Sequence, residues 1–172
     1  MFVNGYPFLI TLSQKLRLFT IDHIPTFTAA QLDRALTKIT KFYARNNFEV
    51  NMIGMDQEFD KIEDKLTVNS NITAAREHVG EIKNGIKFAK MRARSSISLL
   101  PFNVIPKKMV IYLMCHVIMW ISSSPVKTGV SDKYSPTELV TGYTMDFDRH
   151  CPAVWGEYVE GGGILTLSSL TL

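Results

Sequence analysis

Asp56 stands at the end of an apolar run, Phe48–Met55, and a lysine- and arginine-bearing segment follows at positions 83–94. Two-metal hydrolysis or transfer of a phosphodiester needs carboxylates from separate chain elements, converging so that two divalent ions sit roughly 3.5–4 Å apart. Hard Mg²⁺ or Mn²⁺ takes oxygen donors, so such sites are built from Asp and Glu. The carboxyl end of a strand is where a sheet commonly presents its ligands, which makes Asp56 the candidate metal ligand and catalytic carboxylate. An isolated Asp after a strand also fits a turn or a helix cap, and Glu58 and Asp60 fit that reading better still.

Lys83, Lys87, Lys90 and Arg94 recur at i, i+4, i+7 and i+11, which places all four within about 60° of one another on a helix. The row flanks the apolar face of that helix. Contacts from it to phosphates would give sequence-independent, strongly salt-dependent binding. On pattern alone a solvated helix edge explains the row equally well.

The elements that must position these groups follow from periodicity and punctuation. Met1–Val3 and Tyr6–Leu12 read as strands joined by Asn4-Gly5, the dipeptide of a two-residue hairpin, and Leu16–Ile21 alternates as a third antiparallel strand. Thr28-Ala29-Ala30-Gln31 has capping-box spacing, with Phe27 and Leu32 available as a hydrophobic staple. It opens a helix with Leu32, Leu36, Ile39 and Tyr43 on one stripe, Arg34, Lys38 and Lys41 opposite, and a stop near Asn46-Asn47. Phe48–Met55 then reads as a strand covered on both faces.

Thr73–Ser98 is helical, with Val79, Ile82, Ile86, Ala89, Ala93 and Ile97 on one side, and Pro101 closes it. Pro106–Ser122 is apolar nearly all round, a largely buried helix ending before Pro125. Ser135-Pro136-Thr137-Glu138 caps a short helix that Gly142 terminates. Three strands, a helix, a further strand and several helices predict an α/β fold, a mixed sheet with helices on its faces.

The 172 residues, 46% hydrophobic and 20% charged, suit one globular domain, and a formal charge of +3 is too small by itself to name a polyanionic partner. Met1–Leu12 lacks the basic start and cleavage site of a secretory signal. Met109–Ile121 is interrupted by His116 and falls short of the roughly 20 residues of a membrane span. No membrane partner is therefore expected. Cys115 and Cys151 form no CxxC pair, and uniting Cys115-His116 with His150-Cys151 would strain tetrahedral coordination, so no zinc is expected. His78 and His116 read as packed or hydrogen-bonded histidines, and Trp120, Trp155, Tyr112 and Phe102 as core or interface aromatics.

Met55-Asp56-Gln57-Glu58-Phe59, followed by Thr73-Ala74-Ala75-Arg76-Glu77-His78-Val79-Gly80-Glu81-Ile82, resembles the integrase catalytic core of copia-type LTR retrotransposons. Asn4-Gly5, Phe42-Tyr43-Ala44-Arg45, Arg92-Ala93-Arg94, Leu100-Pro101-Phe102, Pro106-Lys107 and Lys133-Tyr134-Ser135-Pro136 stand in the family's order, so the resemblance covers residues 1–160. It implies a ribonuclease-H-like, retroviral-integrase-like fold and a polynucleotidyl transferase that uses Mg or Mn to join element ends to DNA. The family's second catalytic Asp falls on Asp56, its first would fall just ahead of Met1, and its catalytic Glu falls on Lys83. A lysine there sets a positive charge beside the metal position, at 4 Å worth about 4 kcal/mol even at an effective dielectric of about 20. Glu81 lies about 200° around the helix from Lys83 and does not replace it, and Glu77, about 120° away, could do so only if that part of the chain is not helical.

The resemblance therefore implies a degenerate integrase core, related to DNA integration but without catalysis, that retains weak, nonspecific DNA binding through Lys83, Lys87, Lys90 and Arg94. Its setting would be intracellular, nuclear if functional. The alternatives are a non-enzymatic self-association module, a homodimer built on the Pro106–Ser122 helix, and an unfolded pseudogene product. Residues 161–172 match nothing in the family and are expected to form a divergent, disordered tail.

Overall fold

The computed structural model describes residues 1–55, 59, 69–71 and 75–157, with backbone alone for 69–71 and 75–79. Strand β1 (Phe2–Val3) pairs antiparallel with β2 (Tyr6–Leu12) in the register Phe2↔Pro7 and Val3↔Tyr6. Asn4 and Gly5 have φ of 47° and 79°, the two positive values that give a tight hairpin turn a twist matching its strands.

Strand β3 (Phe19–His23) runs antiparallel to β2, from Leu12↔Phe19 to Phe8↔His23. It begins three residues later than its alternation predicts, because Ser13 to Leu18 form the turn. The Ser13 amide donates to the Leu18 carbonyl at 2.9 Å, the Arg17 amide donates to the Ser13 carbonyl at 2.8 Å, and Arg17 takes φ of 59°. Leu18 leaves the ladder and is buried with Tyr43 and Val140.

Helix α1 (Ala29–Arg45) starts where its cap requires, the Thr28 hydroxyl accepting from the Gln31 amide at 3.4 Å. It buries Leu32, Ala35, Leu36 and Tyr43 and leaves Arg34, Lys38 and Lys41 exposed. Asn46 caps its end and Asn47, at φ 62°, turns the chain away. The Phe27 ring rests against Phe2 and Phe59, at centroid distances of 6.5 and 6.1 Å.

Strand β4 (Met52–Gly54) pairs in parallel with β5 (Asn69–Asn71), starting at Met52↔Asn69. It is shorter than the apolar run suggests, since Phe48 and Val50 pack against the cluster of Leu18, Tyr43 and Val140. It is also not covered on both faces: Ile53 and Met55 join the core beside α1 while Met52 and Gly54 are exposed.

Helices α2 (Ala75–Ser98), α3 (Lys107–Ser122), α4 (Pro136–Thr141) and α5 (Phe147–His150) follow. Alternation along β2 divides the core. Phe8 and Ile10 pack with Ala89 and Ala93 of α2 and with Leu113, Met114, Val117 and Ile118 of α3, whereas Leu9 packs with Leu32, Ala35 and Leu36 of α1. The result is a mixed α/β fold, a three-stranded antiparallel sheet with α1 on one face and α2 and α3 on the other.

The expected burial of α3 holds for one side, its outer side carrying exposed Tyr112 and Trp120. The Ser122 hydroxyl joins α3 to the sheet, accepting from the Phe19 amide at 3.2 Å and lying 3.1 Å from the Phe19 carbonyl to which it donates. Ser135 caps α4 through the Glu138 amide and Gly142 ends it at φ 72°, while the Glu138 carboxylate accepts from Thr144 at 2.7 Å. No described helix is long and apolar enough to cross a membrane. The tail 161–172 lies outside the described residues.

Candidate nucleic-acid interface

The seat of α2 is made of small residues. Ala89 and Ala93 are 0% and 2% exposed, and a Cβ on Gly85 would stand closer to Cζ of Phe19 than such atoms approach. A helix faced with Gly and Ala comes nearer its sheet than one faced with Leu, and the closeness fixes its rotation. The side turned toward β3 holds Gly85 and Glu81, the latter bound by both terminal nitrogens of Arg17, Nη1 to Oε2 at 2.5 Å and Nη2 to Oε1 at 3.0 Å. The hydrogen bond to Glu81, more than its charge, holds the Arg17 guanidinium above its ordinary pKa, with burial opposing.

That rotation carries Lys83, Lys87, Lys90 and Arg94 to the flank turned away from β3. Lys83, Lys87 and Arg94 are exposed and Lys90 is half-buried. None of the four forms an ion pair with a described residue. Lys83 to Arg94 spans about 16 Å of helix axis, so the structure brings the four predicted cations together as one straight row.

Asp56 lies outside the described residues, and so does any ion pair between it and Lys83. Met55, directly before it, is 5% exposed and packs with Leu32, Ala35 and Leu36. The side chain of Glu77 also lies outside the described residues. Glu81 is held on the far flank by Arg17, a commitment that agrees with its angular distance from Lys83.

Asp56, the carboxylate to which the integrase resemblance assigns a divalent ion, is not among the described residues; among those that are, no three His, Cys, Asp or Glu side chains come together, and Glu81 is engaged by Arg17. The histidines of the two Cys-His pairs have other partners. His116 Nε2 accepts from Trp120 Nε1 at 2.8 Å, and His150 Nδ1 accepts from the Asp146 amide at 3.1 Å. Burial pushes the thiols of Cys115 and Cys151 up, leaving them protonated at neutral pH.

Two arrangements escape a reading of the sequence. The Arg17–Glu81 pair joins residues far apart in the chain, and the positive φ of Arg17 has no local signature. The second is an aromatic cluster on the outside of α3, where His116 stacks on Trp155 at 5.7 Å and Trp120 stacks on Phe147 at 4.9 Å. Its i, i+4 half, His116 and Trp120, is visible as a spacing; Trp155 and Phe147 arrive from a distant segment. Because Trp120 donates to Nε2, the His116 ring is neutral with its proton on Nδ1, and burial lowers its pKa accordingly. Compared with protein-family models and with curated proteins, the chain finds no match.

Proposed function

We propose that this chain is a degenerate retrotransposon integrase core of ribonuclease-H-like fold that binds nucleic acid without sequence preference along α2 and performs no phosphoryl transfer. The fold reading is supported by the succession of three antiparallel strands, a helix, a parallel strand pair and helices on both sheet faces. The single observation that carries the binding reading is the row of Lys83, Lys87, Lys90 and Arg94 on one flank of α2, three of them exposed and none paired with a described carboxylate. Loss of catalysis rests on the lysine at position 83, which repels divalent ions where the resembled family supplies a carboxylate.

Salt separates this reading from a solvated helix edge. With up to four phosphates neutralised, duplex affinity falls about 10²-fold between 50 and 200 mM salt. Replacing all four cations by Gln flattens that dependence, and binding indifferent to salt and to these substitutions refutes the reading. For catalysis, a strand-transfer assay in Mg²⁺ or Mn²⁺ gives no product; joined product from the unmodified chain refutes inactivity.

A second reading has its own observation. Tyr112 and Trp120 are 49% and 36% exposed on α3, an aromatic surface suited to a second copy of the chain. A concentration-dependent dimer in sedimentation, abolished by Tyr112→Ser and indifferent to DNA, would select it.

A further inference from the structure

From Ile82 to Ser98, α2 carries five cations, Lys83, Lys87, Lys90, Arg92 and Arg94, and no carboxylate. Exposed apolar side chains stand among them: Met91 is 54% exposed and Phe88 39%. On the helix Met91 is only about 40° from Lys87 and about 60° from Arg94, while Phe88 continues the surface about 60° beyond Met91. The Arg92 guanidinium carbon lies 5.1 Å from the centroid of the Phe88 ring, which sets a cationic plane beside a partly exposed aromatic one.

We infer that this surface takes single-stranded nucleic acid in preference to duplex, the cation row following the phosphates while unpaired bases lie on Phe88, Met91 and Arg92. A duplex keeps its bases stacked inside, and against it the exposed Met and Phe meet only sugar and phosphate. A single strand can straighten along the row and turn its bases onto the apolar crest, adding a contact that does not depend on salt. Charge complementarity over the whole exposed surface of the segment selects a polyanion, and the interleaved apolar side chains select one with free π-faces. The inference rests on the reading of α2 as a nucleic-acid surface and specifies its ligand.

The test compares the full chain with Phe88→Ala/Met91→Ala and with the fourfold Gln variant of the row. Fluorescence anisotropy is read with a short mixed-sequence DNA strand, the duplex of equal length, and vesicles of anionic phospholipid. Circular dichroism checks that the variants, altered only at exposed or half-exposed positions, remain folded. The expected result is a single strand bound about tenfold more tightly than duplex, with that advantage lost in Phe88→Ala/Met91→Ala and the slope of affinity against salt unchanged. The row variant should lose the slope for both DNAs. Equal affinity for both DNAs, insensitive to Phe88 and Met91 but still salt-dependent through the row, overturns this inference alone. Absence of salt-dependent binding to either DNA overturns the function proposed above as well. Vesicle binding that needs Phe88 and Met91, without preference among the DNAs, overturns the inference in favour of a lipid surface.

Discussion

Helices α2 and α3 lie on the same face of the sheet and meet it with opposite kinds of residue. α3 fills its contact with Val110, Leu113, Met114, Val117 and Ile118; α2 makes its own with Gly85, Ala89 and Ala93, beside partly buried Ile82, Ile86 and Ile97. Their outer surfaces differ as much, aromatic on α3 and cationic on α2. Large inward residues fix a helix by volume and tolerate change poorly in the small direction; small inward residues fix it by proximity and tolerate change poorly in the large direction. The seat of α2 determines where its charge row points, and among the described residues none of the four cations is held by an ion pair.

Substitutions at the seats break this contrast most severely. Leu113→Ala, at a site 1% exposed, should cost about 2–5 kcal/mol in urea unfolding. Ala89→Leu, in the opposite sense, should cost about 1–3 kcal/mol and displace α2, weakening DNA binding as well. Gly85→Ala is milder: the new methyl must push aside the far end of the Phe19 ring, against a helix-propensity gain of about 1 kcal/mol, leaving a net loss of about 1 kcal/mol that Phe19→Leu relieves. At the small end, the fourfold Gln variant of the row should change stability by no more than about 0.5 kcal/mol per site while removing the salt-dependent binding. A large loss of stability there would erase the contrast.

Acid acts on the α3 side through two histidines. His116 is lowered by burial; His23 is lowered by burial and then by the field of Lys107, with Asp22 opposing. Groups depressed in the folded chain take up protons first in the unfolded chain. Their contribution to stability is therefore complete above the unfolded value of about 6.5 and is lost as pH falls through the folded values. Thermal or urea stability should decline on acidification from neutrality, less steeply in His116→Gln, whose amide oxygen can still accept from Trp120. An unchanged slope would show that the aromatic cluster is indifferent to the charge of His116.

Much of this could be read from the chain. Thr28, Asn4-Gly5 and Ser135 with Gly142 mark their boundaries because capping and positive φ are local requirements, and the apolar stripes of α1 and α2 survive because burial follows the helical period. The same period brings Lys83, Lys87, Lys90 and Arg94 together. The start of β3 is hidden because Leu16–Ile21 alternates plausibly, while the turn at Arg17 is held from outside by Glu81. The length of β4 is hidden because Phe48 and Val50 satisfy their hydrophobicity against Leu18, Tyr43 and Val140, a cluster no short window contains. The stack of His116 on Trp155 depends on where a late segment docks, which spacing does not encode.

Arg17 and Glu81 clasp the hairpin between β2 and β3 to α2. A hairpin tip with a residue at φ 59° would ordinarily wander, and here a planar fork seizes both oxygens of a carboxylate on the neighbouring helix. Lysine at position 17 would keep the sign of the charge and surrender the two-pronged grip. The lean of the hairpin on its helix is thus written in the shape of a guanidinium, and a swap that looks conservative on paper would loosen the joint.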